Sequence, residues 1–329
     1  MSAPEVSFCI PVYNAAARIE RCLRGVLAQQ APSREILVVD NCSTDDTAAR
    51  ARRLLAGIAD ARVVINEKNL GRMENANRCL ELAAGRYVKF ALVNDVLLPG
   101  STEMLLRAAR AHPDATMICS RQRDVEAMPE VFEPVPPNPP TTVLDERSAL
   151  LHLSREGNDT GGGGGQLFQA EAIRRNGLRY RPEIPFCADF HFAIELADCG
   201  PVVYLDAESY LFDRSVKGRY AQTGFKNYNA EAAVCARALG ARLAKYGVPS
   251  WQGFEFLCRQ YTGKMWNYFE PPLSPRGTLA LFAGAGPYRR QAYGFALRHR
   301  ARQIWQRCVH LCQRAASQVG LYHYPWERK

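Results

Sequence analysis

Two polar residues break an otherwise apolar run in "GRYVKFALVNDVLLPG" (85–100): Asn94 and Asp95 follow a stretch that reads as a buried strand. The carboxyl end of a strand in an α/β sheet is where ligands bind. One carboxylate and one amide carbonyl there could hold a divalent cation through hard oxygen atoms, or could simply form a turn. A second polar pair, Asp40-Asn41, ends the apolar run "EILVVD", and "CSTDD" after it offers the bland alternative of a helix cap. A third carboxylate, Asp189, opens the helical stretch "DFHFAIEL", where an acid is also favoured by the helix dipole.

The elements that must position these groups follow from the hydrophobic pattern. "VSFCIPVYN", "EILVVD", "ARVVIN" and "RYVKFALV" read as buried strands. "AARIERCLRGVLAQQ", "STDDTAARARRLLAG" and "RMENANRCLELAAG" lie between them with helical spacing. Strands alternating with helices of this length predict βαβ units and a mainly parallel sheet. "MPEVFEPVPPNPPTT" (128–142) holds six prolines and predicts a surface or site-lining loop. In "GNDTGGGGGQLF" five glycines follow one another, either as a flexible connection or as backbone approaching a ligand closely. "FCADFHFAIELADCG" predicts a helix with Phe186, Phe190, Ala193, Ile194 and Ala197 on one face, and "PVVYLD" and "SYLFD" predict strands after it. From about Phe225 the pattern is helical throughout. The expected division is therefore an α/β domain over 1–224 and a basic helical region over 225–329.

Composition narrows the class. Of 329 residues, 47% are hydrophobic and 23% charged, as expected of a soluble globular protein. No window approaches the roughly 18 apolar residues of a membrane span, and "MSAPEVSFCIPVYN" lacks the basic start and apolar core of a signal peptide. Eleven cysteines without a C-x-x-C pair suit free thiols in a reducing compartment, so a cytoplasmic protein is expected. From Arg276 onward the chain carries ten Lys or Arg and one acid, enough to account for the whole net charge of +9. A basic helix with an apolar face can lie on an anionic membrane or pack on the core with its arginines in water. Nucleic-acid binding is weakly supported without a binding module, and no nucleic-acid partner is expected.

Four motifs in register carry a family resemblance: "IPVYN", "VVDNCSTDDT", "NLGRMENANRCLELAAGRYVKF" and the strand leading to Asn94-Asp95. In order and spacing they resemble the family 2 glycosyltransferases of GT-A fold, over roughly residues 5–215. The resemblance implies a Rossmann-like sheet flanked by helices and an inverting transfer from a nucleotide-diphosphate sugar. The acceptor would be a saccharide or lipid-linked hydroxyl, commonly in surface polysaccharide or glycolipid synthesis at the inner face of the membrane. It places Pro11, Tyr13, Asn14, Asp40 and Asn41 around the nucleoside, with Tyr13 able to stack on a base. Gly71, Arg72, Asn75 and Asn77 form the next segment, where a glycine at a helix start allows close approach of a phosphate or ribose. It gives Asp95, with Asn94, to a Mg²⁺ or Mn²⁺ ion on the diphosphate.

The sequence departs from the family at that site. The earlier acid of a full D-x-D falls on Leu92, and the second acid of the family's "DD" is Asn41. The residues therefore leave open a weakened metal site, a metal-independent one in which Arg72 or Lys217 supplies the charge, or a sugar-nucleotide-binding protein without transferase activity. Function through the basic tail alone is the remaining alternative. The resemblance also implies Asp189 as the general base, which must reach the acceptor hydroxyl on the side opposite the departing diphosphate. His191 is its near neighbour, and Arg214, Lys217 and Arg219 of "FDRSVKGRY" could close over the diphosphate or form a solvated basic loop.

Overall fold

The structure is a computed structural model that describes residues 3–160, 162–213 and 225–254. Its first half is the expected alternation: β1 (Val6–Val12), α1 (Ile19–Leu27), β2 (Arg34–Asp40), α2 (Thr47–Leu54), β3 (Ala61–Ile65), α3 (Arg72–Leu82) and β4 (Tyr87–Phe90). The second half runs β5 (Asp95–Leu97), α4 (Ser101–Ala111), β6 (Met117–Val125), β7 (Thr141–Leu144), α5 (Glu146–Glu156), α6 (Gly162–Gly165), β8 (Gln166–Gln169), α7 (Ala170–Asn176), α8 (Ala188–Ala197), β9 (Val202–Asp213) and α9 (Phe225–Ala244). A 3-10 turn over Ser250–Phe254 follows.

One sheet takes all nine strands, in the order β3-β2-β1-β4-β8-β6-β9-β5, with β7 also pairing with β9. Strands β1 to β4 are mutually parallel where they pair, as the alternation predicts. Beyond β4 the sheet is mixed: β8 runs antiparallel to β4 and β6, β6 is parallel to β9, and β5 and β7 are antiparallel to β9. An α/β sheet flanked by helices is thus observed, mainly parallel only in its first half.

Both faces are covered, which is why the central strands read as continuous apolar runs. Side chains alternate with period two. Phe8, Ile10, Ile36 and Val38 join Ile19, Leu23, Val26 and Leu105 on one face. Cys9, Leu37, Val39 and Phe90 join Cys79, Leu150, Ile194 and Leu239 on the other. Helix α8 is buried on nearly all sides, more than the single apolar face expected of it, because α5 and α9 pack over it. The expected boundary at 224/225 meets the undescribed residues 214–224; beyond it, α9 buries Ala232, Cys235, Ala236 and Leu239 in this same core. Residues 255–329, including the basic tail, lie outside the described residues, as do Arg214, Lys217 and Arg219. Among the described residues no helix is long and apolar enough to cross a membrane.

Two local expectations are corrected. The strand expected to run to Asn94-Asp95 stops at Phe90; the chain turns, with the Asp95 N–H donating to Leu92 O at 2.9 Å, and Asp95 opens β5. "PVVYLD" and "SYLFD" are one strand, β9, because alternation continues through Asp206, Ala207 and Glu208 while register shifts opposite Ser120, Arg121 and Gln122 absorb the mismatch with β6.

Candidate active site

The ends of β1 and β2 are built as a cross-linked pair of turns. Asn14 and Cys42 are the non-glycine residues with positive φ among the described residues, at 46° and 62°. Such backbone is uncommon outside glycine and is tolerated more readily by Asn. The Asn14 N–H donates to Ser43 Oγ at 2.9 Å, and Asn14 Oδ1 accepts the Thr44 N–H at 2.9 Å. Buried Asp40 accepts Ser43 N–H at 3.0 Å and Ser43 Oγ–H at 2.5 Å, so its carboxylate shapes the β2 turn; the N-cap of α2 is Asp46. Pro11 sits in β1 beside Val39, and Tyr13 projects its ring 47% exposed.

An amide network fixes the neighbouring loop. Asn41 Nδ2 donates to Asn69 Oδ1 at 2.9 Å and Gly71 O at 3.2 Å, and its Oδ1 accepts the Leu70 N–H and Asn66 Nδ2–H. Asn66 donates to Asn75 Oδ1 at 2.8 Å, and Asn75 donates to Val39 O at 3.1 Å. Asn77 exchanges hydrogen bonds with the Tyr180 backbone. The side chains of Asn41 and Asn75 are therefore engaged internally and shape the loop over Asn66–Gly71, while Asn77 ties α3 to Tyr180. Gly71 meets the loop's demand for φ +84°, with open space where a side chain would stand.

Past β4 lies a cavity of about 690 Å³. Its lining combines Arg72, Leu92, Asp95, Gly162 and Asp189 with residues of β6, β7 and β9. Asp95 is 4% exposed, and its Oδ1 has no hydrogen-bond partner. Burial, reinforced by the nearby Asp189 carboxylate and opposed by Lys89 and Arg21, pushes its pKa up to about 8. Burial also raises the pKa of Asp189, with the Arg72 guanidinium pulling the other way. Arg72 in turn donates to the Pro185 carbonyl. His191 is buried and turned toward Glu195, its Nδ1 3.7 Å from Glu195 Oε2, so its place is structural.

Sequence reasoning missed Lys89, although a lysine inside "YVKF" was the available signal. Its ammonium is fully buried beneath Asp95 and donates to Gly164 O at 2.7 Å; burial lowers its pKa to about 7. The glycine run also acquires a reason. Gly162–Gly165 forms one helical turn pressed on the site: a Cβ on Gly164 would stand 2.8 Å from the Tyr210 ring and 2.9 Å from Asp95 Oδ2, and one on Gly165 2.6 Å from Ser120 O. The close approach is to the site's own side chains.

A divalent cation fits this donor set in part. Asp95 Oδ1 and Asn94 Oδ1 are both buried and lack partners, as two hard-oxygen ligands awaiting a cation would. No group of three or more His, Cys, Asp or Glu side chains suited to a metal occurs among the described residues, so remaining ligands would have to be water or substrate oxygen.

Known proteins resemble this chain in part of its sequence and in its fold. Residues 7–152 match the model of glycosyl transferase family 2. The protein MT1568 of Mycobacterium tuberculosis is 46% identical over 104 residues, 32% of this chain and 32% of its own length. The succinoglycan biosynthesis protein ExoO of Rhizobium meliloti is 33% identical over 110 residues, 33% of this chain and 30% of its own. The match thus spans about a third of these relatives' length. Among solved structures, Staphylococcus aureus TarS 1-349 in complex with UDP-GlcNAc superposes with TM-score 0.63 at 16% identity, over 90% of this chain and 89% of that one. The mannosyltransferase PcManGT of Pyrobaculum calidifontis, in complex with GDP-Man and Mn²⁺, gives TM-score 0.52 at 18% identity, over 93% and 88%. Residues 7–152 are thus similar to glycosyltransferase family 2, and the fold is GT-A.

Proposed function

We propose that the protein is an inverting glycosyltransferase that moves a sugar from a nucleotide-diphosphate donor to a hydroxyl of a saccharide or lipid-linked acceptor, in surface polysaccharide or glycolipid assembly. The observation that carries this reading is the placement of Asp95, with its unpartnered Oδ1, and Asp189 on one cavity beside the cross-linked ends of β1 and β2. The nucleoside lies over Tyr13 and the Pro11–Asn14 and Asp40–Ser43 turns, with Gly71 open to the ribose and Arg72 toward the diphosphate. A Mg²⁺ or Mn²⁺ ion would be held by Asp95 and the Asn94 carbonyl oxygen and would neutralise charge on the departing diphosphate. Asp189, ionised, takes the proton of the acceptor hydroxyl; that oxygen bonds to the anomeric carbon as the bond to the diphosphate oxygen breaks, and configuration inverts. Burial raises the pKa of Asp189 and so makes its carboxylate a stronger base than an exposed aspartate.

Support for the donor class comes from the fold neighbours, one solved with UDP-GlcNAc and one with GDP-Man. ExoO, named for succinoglycan biosynthesis, supports a polysaccharide setting. The basic tail would bring the enzyme to the inner face of an anionic membrane, as a peripheral cytoplasmic protein. Calorimetric titration of the full chain with UDP, GDP and dTDP, each with Mn²⁺ and with EDTA, tests the reading. Metal-dependent binding of one nucleotide supports it, equal binding in EDTA transfers the ion's role to basic side chains, and no binding to any of them overturns it.

A further inference from the structure

We infer that Glu231, on α9, is a positioning residue for the transfer: it fixes the turn that carries Asp189 and, through one shared peptide group, ties that turn to Arg72. Its part in transfer rests on the reading of Asp189 above. Glu231 is 6% exposed, and its Oε2 accepts the Phe186 N–H at 2.6 Å and the Cys187 N–H at 2.9 Å. Those two residues lead straight into α8, and Asp189 stands in its first turn. Helix α8 has Cys187 at its N-cap and no side-chain cap of its own. N–H groups at a helix start need acceptors, and the dipole favours a carboxylate there. Glu231 is therefore a cap brought from another helix, 44 residues further along the chain than Cys187.

The Phe186 N–H belongs to the same peptide group as the Pro185 carbonyl, which accepts from Arg72. That group is thus held from both sides, by a carboxylate on its hydrogen and a guanidinium on its oxygen. Ionised partners make such bonds strong, and two in series polarise each other. Because the peptide is planar and stiff, Arg72 at the start of α3 and Asp189 at the start of α8 take their places from one rigid unit. Both line the cavity. Asp189 follows Cys187 by two residues, about 3 Å along a helix axis, so a displaced turn carries the carboxylate with it.

Docking of α9 does not by itself account for a glutamate at this position. Ala232, Cys235, Ala236 and Leu239 already bury α9 in the core it shares with α8. At the other end of α8, Arg242 Nε lies 3.2 Å from Asp198 Oδ2 and Lys245 Nζ 2.6 Å from the same oxygen. An apolar side chain at 231 would pack α9 as well. A buried carboxylate is destabilising unless it is hydrogen-bonded, and Glu231 meets that demand with the two N–H groups it holds. The helical region that begins at Phe225 then reaches the site through one carboxylate.

The test uses the full chain with Mn²⁺ and compares Glu231→Leu, which fills the space without an acceptor, with Glu231→Gln, which keeps an acceptor oxygen. Nucleotide release from UDP-GlcNAc, GDP-mannose and dTDP-glucose gives kcat and KM, and hydrogen exchange read by mass spectrometry follows the amides of residues 184–190. The expected result for Glu231→Leu is kcat lowered at least about tenfold with KM changed less than about threefold, the pattern of a misplaced reacting group. Exchange over 184–190 quickens in the same variant, and Glu231→Gln restores most of both. Glu231→Ala takes the place of Glu231→Leu if leucine prevents folding. Arg242→Ala is the control: it loosens the far end of α8 and lowers the melting temperature, yet leaves kcat within about threefold. Unchanged kcat where exchange has quickened, an equal loss of kcat in Arg242→Ala, or a glutamine variant as slow as the leucine one would overturn the inference. The transferase reading is decided separately, by nucleotide calorimetry. If the wild type binds no nucleotide and cleaves no donor, that reading fails; quickened exchange then still upholds the hold of Glu231 on the turn, and unchanged exchange sinks it.

Discussion

Replacing Gly164 by alanine adds one methyl group where the site's own side chains press on the glycine turn. Its Cβ would meet the Tyr210 ring carbon Cδ2 at 2.8 Å and Asp95 Oδ2 at 2.9 Å. Ordinary carbon contacts begin near 3.5 Å, so ring and carboxylate must each retreat by roughly half an ångström. Neither yields easily: Tyr210 is 2% exposed with its hydroxyl on Gln122 Oε1 at 2.6 Å, and Asp95 lies over Lys89, which grips Gly164 O from below. Overpacking of this kind costs about 1–3 kcal/mol, and a 1 Å misplacement of a reacting group costs about 10²-fold in rate. The expected outcome is a melting temperature lowered by several degrees and transfer slowed at least tenfold, with Mn²⁺-dependent nucleotide binding weakened. Gly163→Ala is the control, because its Cβ meets Phe90 Cβ at 3.3 Å and Leu92 at 3.6 Å, far from either carboxylate. Thermal denaturation and initial rates on the two variants decide the matter. Equal effects from both would refute the claim that the glycine turn is there to let Asp95 and Tyr210 close upon it.

Three further outcomes follow from the same geometry. Asp189→Asn should lower transfer by about 10²–10⁴-fold, the usual contribution of a general base, while calorimetry still finds nucleotide binding; intact transfer would remove Asp189 from the mechanism. In EDTA, stability should fall as pH rises from 5 to 7. With the Asp95 pKa raised to about 8, the folded chain keeps a proton that the unfolded chain, with a carboxylate pKa of about 3.9, releases. Asp95→Asn should flatten that slope by up to about 1.4 kcal/mol per pH unit, and an unchanged slope in urea titrations at each pH would show that Asp95 does not hold the proton. Asn75→Ala removes one acceptor of the Asn66 amide and the side-chain donor to the Val39 carbonyl and should cost about 1–3 kcal/mol, with nucleotide affinity reduced through the displaced Asn66–Gly71 loop; a destabilisation below 0.5 kcal/mol, roughly that of a surface change, would count against the network.

The sequence was legible where local pattern and site coincide. In the first half, β1 and β2 each end in a polar turn, so Asn14, Asp40 and Asn41 could be put at strand ends from the apolar pattern. Asp189 was legible because an acid at a helix start stands out in a stretch as apolar as "FHFAI". The second half resisted for a physical reason. β6, β7 and β8 are set by pairing with β9 and β4, strands distant in the chain, and "RQRDV" at the end of β6 is exposed and polar, so it carries no strand signature. β6 and β7 contribute part of the cavity's lining, which was invisible for the same cause. Asn41 and Asn75 illustrate another limit: an amide beside a ligand site and an amide that builds the site have the same letter, and only partners distinguish them.

Charge balance joins these observations. Asp95, Asp189 and Lys89 are all shifted toward their neutral forms, so the cavity disfavours charge that is not compensated within it. A diphosphate brings further negative charge to a lining that already holds more carboxylates than guanidinium groups. It can enter only if a cation enters with it or if positive side chains close over it. Arg72 cannot serve alone, because it already offsets Asp189 and donates to the Pro185 carbonyl. The unpartnered oxygen atoms of Asn94 and Asp95 favour the ion; Arg214, Lys217 and Arg219, next along the chain after β9, would be the alternative source. The two differ in what chelation does. If the ion carries the charge, EDTA abolishes nucleotide binding and Lys217→Ala leaves Mn²⁺-dependent affinity within about twofold, whereas if the loop carries it, Lys217→Ala weakens binding equally in Mn²⁺ and in EDTA.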